Sequence, residues 1–250
     1  MSAVALISDL HSNREALDAV MRRIDDLGIS EICCLGDVVG YGADPEYCVK
    51  LVAARCKWTI MGNHDWGLFN SVNDFNPLAR EALLYSRNRL RPRLYAPWRR
   101  RAWEFLRNLP HRIEDHGHLY CHASPRDPIM EYVLKSDGFL EPEKMAEIFG
   151  MIDRPCFVGH THWPGVHRPD FRFSQATDED REITVGTEPA VVNVGSVGQP
   201  RDGDPRACFV VVDRGKVEFH RVSYDIKVTQ AKIRKAGLHS ALADRLARGK

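Results

Sequence analysis

The 250-residue sequence has no apolar run that approaches a membrane span and no Gly/Ser/Pro-rich linker to divide it. Its first apolar stretch, Ala3 to Ile7, is too short for a signal-peptide core and has no basic flank, so a cytoplasmic location is expected. It also lacks a charge of one sign. The 35 Lys and Arg against 34 Asp and Glu leave a formal +1, so no global field recruits nucleic acid or anionic lipid, and an anionic substrate must be drawn locally. Seven cysteines are present without a C-x-x-C pair, which removes the usual zinc and dithiol redox signatures. Most sit inside apolar runs and read as buried thiols.

What is present is a repeated unit of apolar run, polar loop and amphipathic helix. Ala3 to Ser8 reads as a buried strand; Ser12-Asn13-Arg14-Glu15 matches a capping box; Ala16, Leu17, Val20, Met21, Ile24 and Leu27 recur at helical spacing up to Gly28. Ile32 to Leu35 and Trp58 to Met61 repeat the strand, with a helix opened by Asp44-Pro45 between them. Strands alternating with helices predict a parallel core sheet. Pro77 to Leu90 and Pro97 to Leu109 are expected as helices outside the sheet, with Arg99-Arg100-Arg101 as a solvated face. His118 to Cys121, Cys156 to Val158 and Val191 to Val194 are further strands, and Cys208 to Val212 with Lys216 to Val222 forms a hairpin. The polar stretch 168–188 is expected as an exposed hairpin or loop. One domain over 1–250 is expected, with a helical insertion near 66–110 and a C-terminal helical extension near 226–250 carrying Ile233, Leu238, Leu242 and Leu246.

Nearly every apolar run ends in a metal-ligand type: Asp9-Leu10-His11, Gly36-Asp37, Gly62-Asn63-His64-Asp65, His122 and Gly159-His160-Thr161-His162. Residues at the carboxyl ends of parallel strands converge on one crevice. Two divalent ions about 3.5–4 Å apart need a bridging ligand and a mix of carboxylate and imidazole donors. Asp37 suits the bridge, because its charge offsets two neighbouring dications. Asp9 with His11, and His160 with His162, have the i, i+2 spacing that lets a turning segment aim two side chains at one point. Asn63 adds a neutral oxygen where another carboxylate would over-neutralise the ions. His64 then faces substrate, with Asp65 placed to fix its tautomer. Each motif alone has an ordinary reading as a turn, a cap or a partly buried histidine. Five of them at strand ends make a ligand set.

On these motifs, over residues 4 to 198, the chain resembles the calcineurin-like metallophosphoesterase superfamily, and within it the small prokaryotic phosphodiesterase-like proteins with an Asn193-Val194-Gly195-Ser196-Val197-Gly198 ending. The resemblance implies a four-layer αββα sandwich, two mixed β-sheets flanked by helices. It implies one ion held by Asp9, His11, Asp37 and His162, and another by Asp37, Asn63, His122 and His160, with His64 as acid or transition-state stabiliser supported by Asp65. Cys121 stands where the family commonly has Gly, which could make the site sensitive to oxidation.

The expected activity is phosphoester hydrolysis by a hydroxide bridging two divalent ions, with diesters ahead of monoesters. Manganese leads as the cofactor, with iron, nickel, zinc or cobalt as other fits to histidine-rich ligation. A small phosphoester is the expected partner, with no nucleic-acid surface and no membrane. Asn13, Tyr41, Arg126 and Arg201, on loops beside the ligand motifs, are candidates for the substrate rim. A dinucleoside polyphosphate hydrolase, a protein phosphatase, a nuclease and a silent binding scaffold on the same fold stay open.

Overall fold

The computed structural model describes residues 3–250. In chain order the elements are β1 (Val4–Ile7), α1 (Arg14–Asp26), β2 (Glu31–Cys34), α2 (Pro45–Arg55), β3 (Trp58–Thr59), α3 (Asn63–Gly67), α4 (Pro77–Leu90), α5 (Pro97–Arg107), β4 (Arg112–Asp115) and β5 (His118–Cys121). They continue with α6 (Asp137–Leu140), α7 (Pro142–Gly150), β6 (Pro155–Val158), β7 (Gly165–His167), β8 (Phe173–Gln175), β9 (Glu182–Thr184), β10 (Ala190–Asn193), β11 (Ala207–Asp213), β12 (Lys216–Val222), α8 (Ile226–Lys235) and α9 (Ser240–Asp244).

Two six-stranded sheets form, ordered β3-β2-β1-β11-β12-β9 and β4-β5-β6-β10-β7-β8. In each, three neighbouring strands run parallel, β3-β2-β1 and β5-β6-β10, and the outer strands join antiparallel. The expected parallel core is therefore present twice, inside mixed sheets. Because successive strand residues face opposite ways, β1 sends Val4 and Leu6 toward the second sheet and Ala5 and Ile7 toward the helices. Tyr120, Phe157 and Val192 answer from the second sheet, while Cys121, Cys156, Val158 and Val191 face α7. Burial on both faces explains why these strands read as continuous apolar runs. The layers are helix, sheet, sheet, helix. Six of the seven cysteines are buried within them and Cys56 is half-buried.

Several local expectations change. Ser12 does not cap α1: its backbone sits at φ +54 and its N–H is donated to the Val38 carbonyl, so the helix starts one residue later with Asn13 as N-cap. Asn13 Oδ1 accepts from Ala16 N–H and from the Thr229 hydroxyl, and Nδ2 donates to the Gly198 carbonyl. Glu15, freed from the box, accepts from Lys232. Leu27 is exposed at the helix end. Residues 168–188 are mostly exposed, as expected, and 168–175 form the turn and second strand of a β7–β8 hairpin rather than a hairpin of their own. The rest crosses from β8 at the edge of one sheet to β9 at the edge of the other. The β11–β12 hairpin exists, but β11 inserts beside β1, antiparallel to it. α4 and α5 lie outside the sheet and still bury Leu90, Ala102 and Leu106 in the cluster under α2. Arg100 and Arg101 are solvated, whereas Arg99 is half-buried against Trp98. β4, β7 and α7 were not evident in the sequence pattern. Among the described residues, no helix is long and apolar enough to cross a membrane.

Asn13→Ala removes the α1 cap and leaves the Gly198 carbonyl without its donor. We expect a loss of about 1–2 kcal/mol, read in a thermal melt as a drop of roughly 2–8 °C for a chain of this size.

Candidate metal centre

The three parallel strands of the first sheet deliver Asp9, Asp37 and Asn63 just past β1, β2 and β3. Those of the second deliver His122 after β5 and His160 after β6. The loops behind β1 and β2 are laced by Asp9 N–H to Gly36, His11 N–H to Asp37 and Ser12 N–H to Val38 carbonyls. Asp9, His11, Asp37, His160 and His162 all have positive φ, between 46° and 65°. Such backbone costs roughly 1 kcal/mol or more per residue away from glycine, and its clustering on the proposed ligands marks a site held against local preference.

Four imidazoles are each anchored by a backbone carbonyl, which holds a proton on one ring nitrogen and, in the neutral ring, leaves the other as a lone pair. His11 Nδ1 donates to Val39, His122 Nδ1 to Leu35, His162 Nδ1 to Gln199 and His160 Nε2 to Met130. The free nitrogens then meet acceptors. His11 Nε2 is 3.0 Å from His162 Nε2, and His162 Nε2 is 3.0 Å from Asp9 Oδ1. Asn63 Oδ1 lies 3.2 Å from His122 Nε2 and 3.1 Å from His160 Nδ1. Between these two groups, Asp37 Oδ2 is 3.6 Å from His11 Nε2 and 3.5 Å from His122 Nε2. Its other oxygen accepts the His64 N–H at the start of α3.

Asp9 and Asp37 are buried. Burial opposes protonation of the imidazoles: it holds His11 and His160 well below their ordinary range and brings His64 down to about 4. Burial acts the same way on His122, but without a cation the Asp37 carboxylate outweighs burial and raises that ring to about 10, so its Nε2 carries a proton in the place a cation would take. One imidazolium cannot serve two carboxylates, and Asp9 Oδ1 is buried with no hydrogen-bond donor. Acceptors facing acceptors around uncompensated carboxylates fit divalent cations and little else. Asp9, His11, Asp37 and His162 could hold one ion; Asp37, Asn63, His122 and His160 could hold a second.

His64 lies among these groups, 4.8 Å between ring centroids from His11 and 4.5 Å from Tyr41. Its Nδ1 packs against Gly40, where an added Cβ would lie 2.2 Å away. Asp65 does not fix its tautomer. Neighbours on a helix diverge by about 100°, and the Asp65 carboxylate turns back to accept N–H groups of Val38, Val39 and Gly62. It ties α3 to the β2 loop.

Of the rim candidates, Arg201 stands beside the centre: it donates to Gln199 Oε1 and reaches the Tyr41 hydroxyl at 3.4 Å, with its Nε unpartnered. Arg126 is ion-paired to Glu131 and Glu147 instead. Asn13 is committed to the α1 cap, so its place is structural. Sequence reading missed Arg245, whose guanidinium lies 5.5 Å from the Tyr41 ring centroid; burial and then the charge of Arg201 lower its proton affinity. It missed Tyr132 too, whose ring packs on His160 with centroids 3.9 Å apart. Neither belongs to a motif.

Residues 2–216 match the model of the calcineurin-like phosphoesterase superfamily domain. A crystal structure of a metallophosphoesterase from Sphaerobacter thermophilus is 37% identical with a TM-score of 0.84, covering 100% of this chain and 99% of that one. An uncharacterized protein of Methanocaldococcus jannaschii is 36% identical over 263 aligned positions, 100% of this chain and 99% of its own. A hypothetical protein of Pyrococcus horikoshii has the same fold at 20% identity, with a TM-score of 0.77 over 100% and 99% of the two chains.

Gly62 lets the α3 loop press on the Asp37 carboxylate: a Cβ there would sit 2.1 Å from Asp37 Oδ1 and 2.3 Å from its amide nitrogen. Gly62→Ala is therefore expected to fold while displacing Asp37. Elemental analysis after manganese loading should find less than half the parent's metal content.

Proposed function

The chain belongs to the calcineurin-like phosphoesterase superfamily, and on that footing we propose that it hydrolyses a phosphoester with two divalent ions, diesters ahead of monoesters. The observation that carries this reading is the double set of carbonyl-anchored imidazoles whose lone pairs converge, with Asn63 and Asp9, on either side of Asp37 Oδ2. Asp9, His11 and His162 would hold one ion, Asn63, His122 and His160 the other, and Asp37 both. Manganese suits this nitrogen and oxygen donor set, ahead of iron, nickel, zinc or cobalt. Bound there, the pair would supply a nucleophile from water near neutral pH and neutralise phosphoryl charge.

The remaining work falls to the protein's side chains. Arg201 and Arg245 flank Tyr41, Arg245 with its Nε given to a Lys250 oxygen and Arg201 with its Nε unpartnered, so Arg201 above all answers phosphoryl charge that the overall +1 of the chain does not attract. His64 borders the ligands and, as a neutral ring, offers its N–H to phosphoryl charge and to the departing oxygen. The scaffold reading has no support in the site, since all seven ligand positions and His64 are present and gathered.

Manganese-loaded protein is expected to hydrolyse bis-p-nitrophenyl phosphate and to lose that activity on chelation. His64→Ala should lower kcat by about 10²- to 10⁴-fold at unchanged metal content, and Asn63→Ala should lower metal content and activity together. Parent-level turnover by Asn63→Ala would overturn the two-ion reading.

A further inference from the structure

A cavity of about 850 Å³ opens beside the centre, with Asn63, His64 and His160 on its inner side. Its volume falls in the upper part of the range for small-molecule sites, so a phosphoryl group fills only a fraction of it. Tyr41, Trp66, Phe75 and Tyr132 give it aromatic walls. Two of those walls come from segments that the ligand motifs did not explain: the stretch between α3 and α4, and the loop after His122.

The charge of the lining is the second observation. No lysine or arginine faces the cavity, whereas Asp74 and Asp127 do. Asp127 is fixed in place by accepting the Ile129 and Met130 N–H groups. The nearby cations are turned elsewhere: Arg80 donates to the carbonyls of Val72, Asn73 and Phe75, and Arg126 pairs with Glu131 and Glu147. Arg201 and Arg245 both reach Tyr41, yet neither lines the cavity. Positive charge and apolar volume are thus separated by the Tyr41 ring. His64 contacts Tyr41 on one side and Phe75, 5.6 Å between centroids, on the other.

We propose that this cavity receives an uncharged ester group of aromatic size, and that this group is the one that departs. The proposal rests on the hydrolase reading and narrows it. A leaving group that itself carries phosphates would enter an acidic mouth with no cation to receive it, which disfavours polyphosphate esters. An aryl or nucleoside-like alcohol stacks on the walls without that penalty. In the reaction, water oxygen forms the new bond to phosphorus, and the bond to the ester oxygen breaks with its electron pair. That oxygen departs against the ring N–H of His64 at the cavity's inner edge and takes up the proton that the attacking water gives up.

The test combines binding with turnover. Metal-free and manganese-loaded protein are titrated calorimetrically with diphenyl phosphate and with dimethyl phosphate. We expect at least tenfold tighter binding of the diphenyl ester. That preference should fall about tenfold in Phe75→Ala, whose folding is checked by its melt. Asp74→Lys, a change at an exposed position, should keep the preference and bind inorganic diphosphate more tightly than the parent. Equal affinity for the two diesters, no measurable affinity for either, or a parent that turns over a dinucleoside polyphosphate faster than bis-p-nitrophenyl phosphate would each overturn the cavity assignment. An intact binding preference without turnover of any ester would overturn the hydrolase reading alone.

Discussion

Two carboxylates, Asp9 and Asp37, are buried among imidazoles anchored from behind by backbone carbonyls, and His122 alone is drawn to a second proton by Asp37. Without cations such a cluster is electrostatically costly, and the surrounding structure is arranged to keep it assembled. The left-handed backbone at five ligands, the carbonyl anchor behind each ring and the close approach of Gly62 to Asp37 all oppose the relaxation that would spread the acceptors apart. Rigid aim established before the ion arrives is what lets a small set of neutral and anionic donors hold a dication in a fixed place.

The architecture supplies that rigidity from both sides. The first sheet contributes the carboxylates and the amide, the second the imidazoles after β5 and β6, and the apolar layer between them sets their separation. Asp65 is the pin in this arrangement. By accepting from Val38, Val39 and Gly62 it locks α3 onto the β2 loop, and α3 in turn gives its His64 amide to Asp37. The Tyr41 ring stands between guanidinium groups at one face and an aromatic cavity at the other, and the proposed substrate recognition would be divided there.

The strand-end candidates were legible because each apolar run stopped at a residue with only a few chemical uses, in an order that resembles the motifs of one superfamily. What holds the ligands was not legible. Val39, Leu35, Met130 and Gln199 act through backbone carbonyls, which carry no side-chain signature. The pattern placed Ser12 as the cap because it weighs side chains, whereas the tie of Ser12 N–H to Val38 depends on a partner loop. Asp65 was assigned to His64 by adjacency in sequence, which helical geometry then separated. Arg126 read as a rim residue until its acidic neighbours on α7 and the preceding loop came into view. Short edge strands such as β4 and β7 have too few residues for an alternating pattern to register.

The insertion of β11 beside β1 joins Val4 with Val212, nearly the full span of the sequence, and the same late region supplies Gly198 for Asn13 and Gln199 for His162. A nascent polypeptide leaving the ribosome therefore carries Asp9, Asp37 and Asn63 into the cell long before the strand that closes their sheet has been made. Until then β1 presents an open hydrogen-bonding edge with apolar side chains on both faces, the kind of template that attracts other chains. Pairing of β11 shields that edge, and the same late stretch completes the anchors of Asn13 and His162, so edge protection and the last imidazole anchor arrive together.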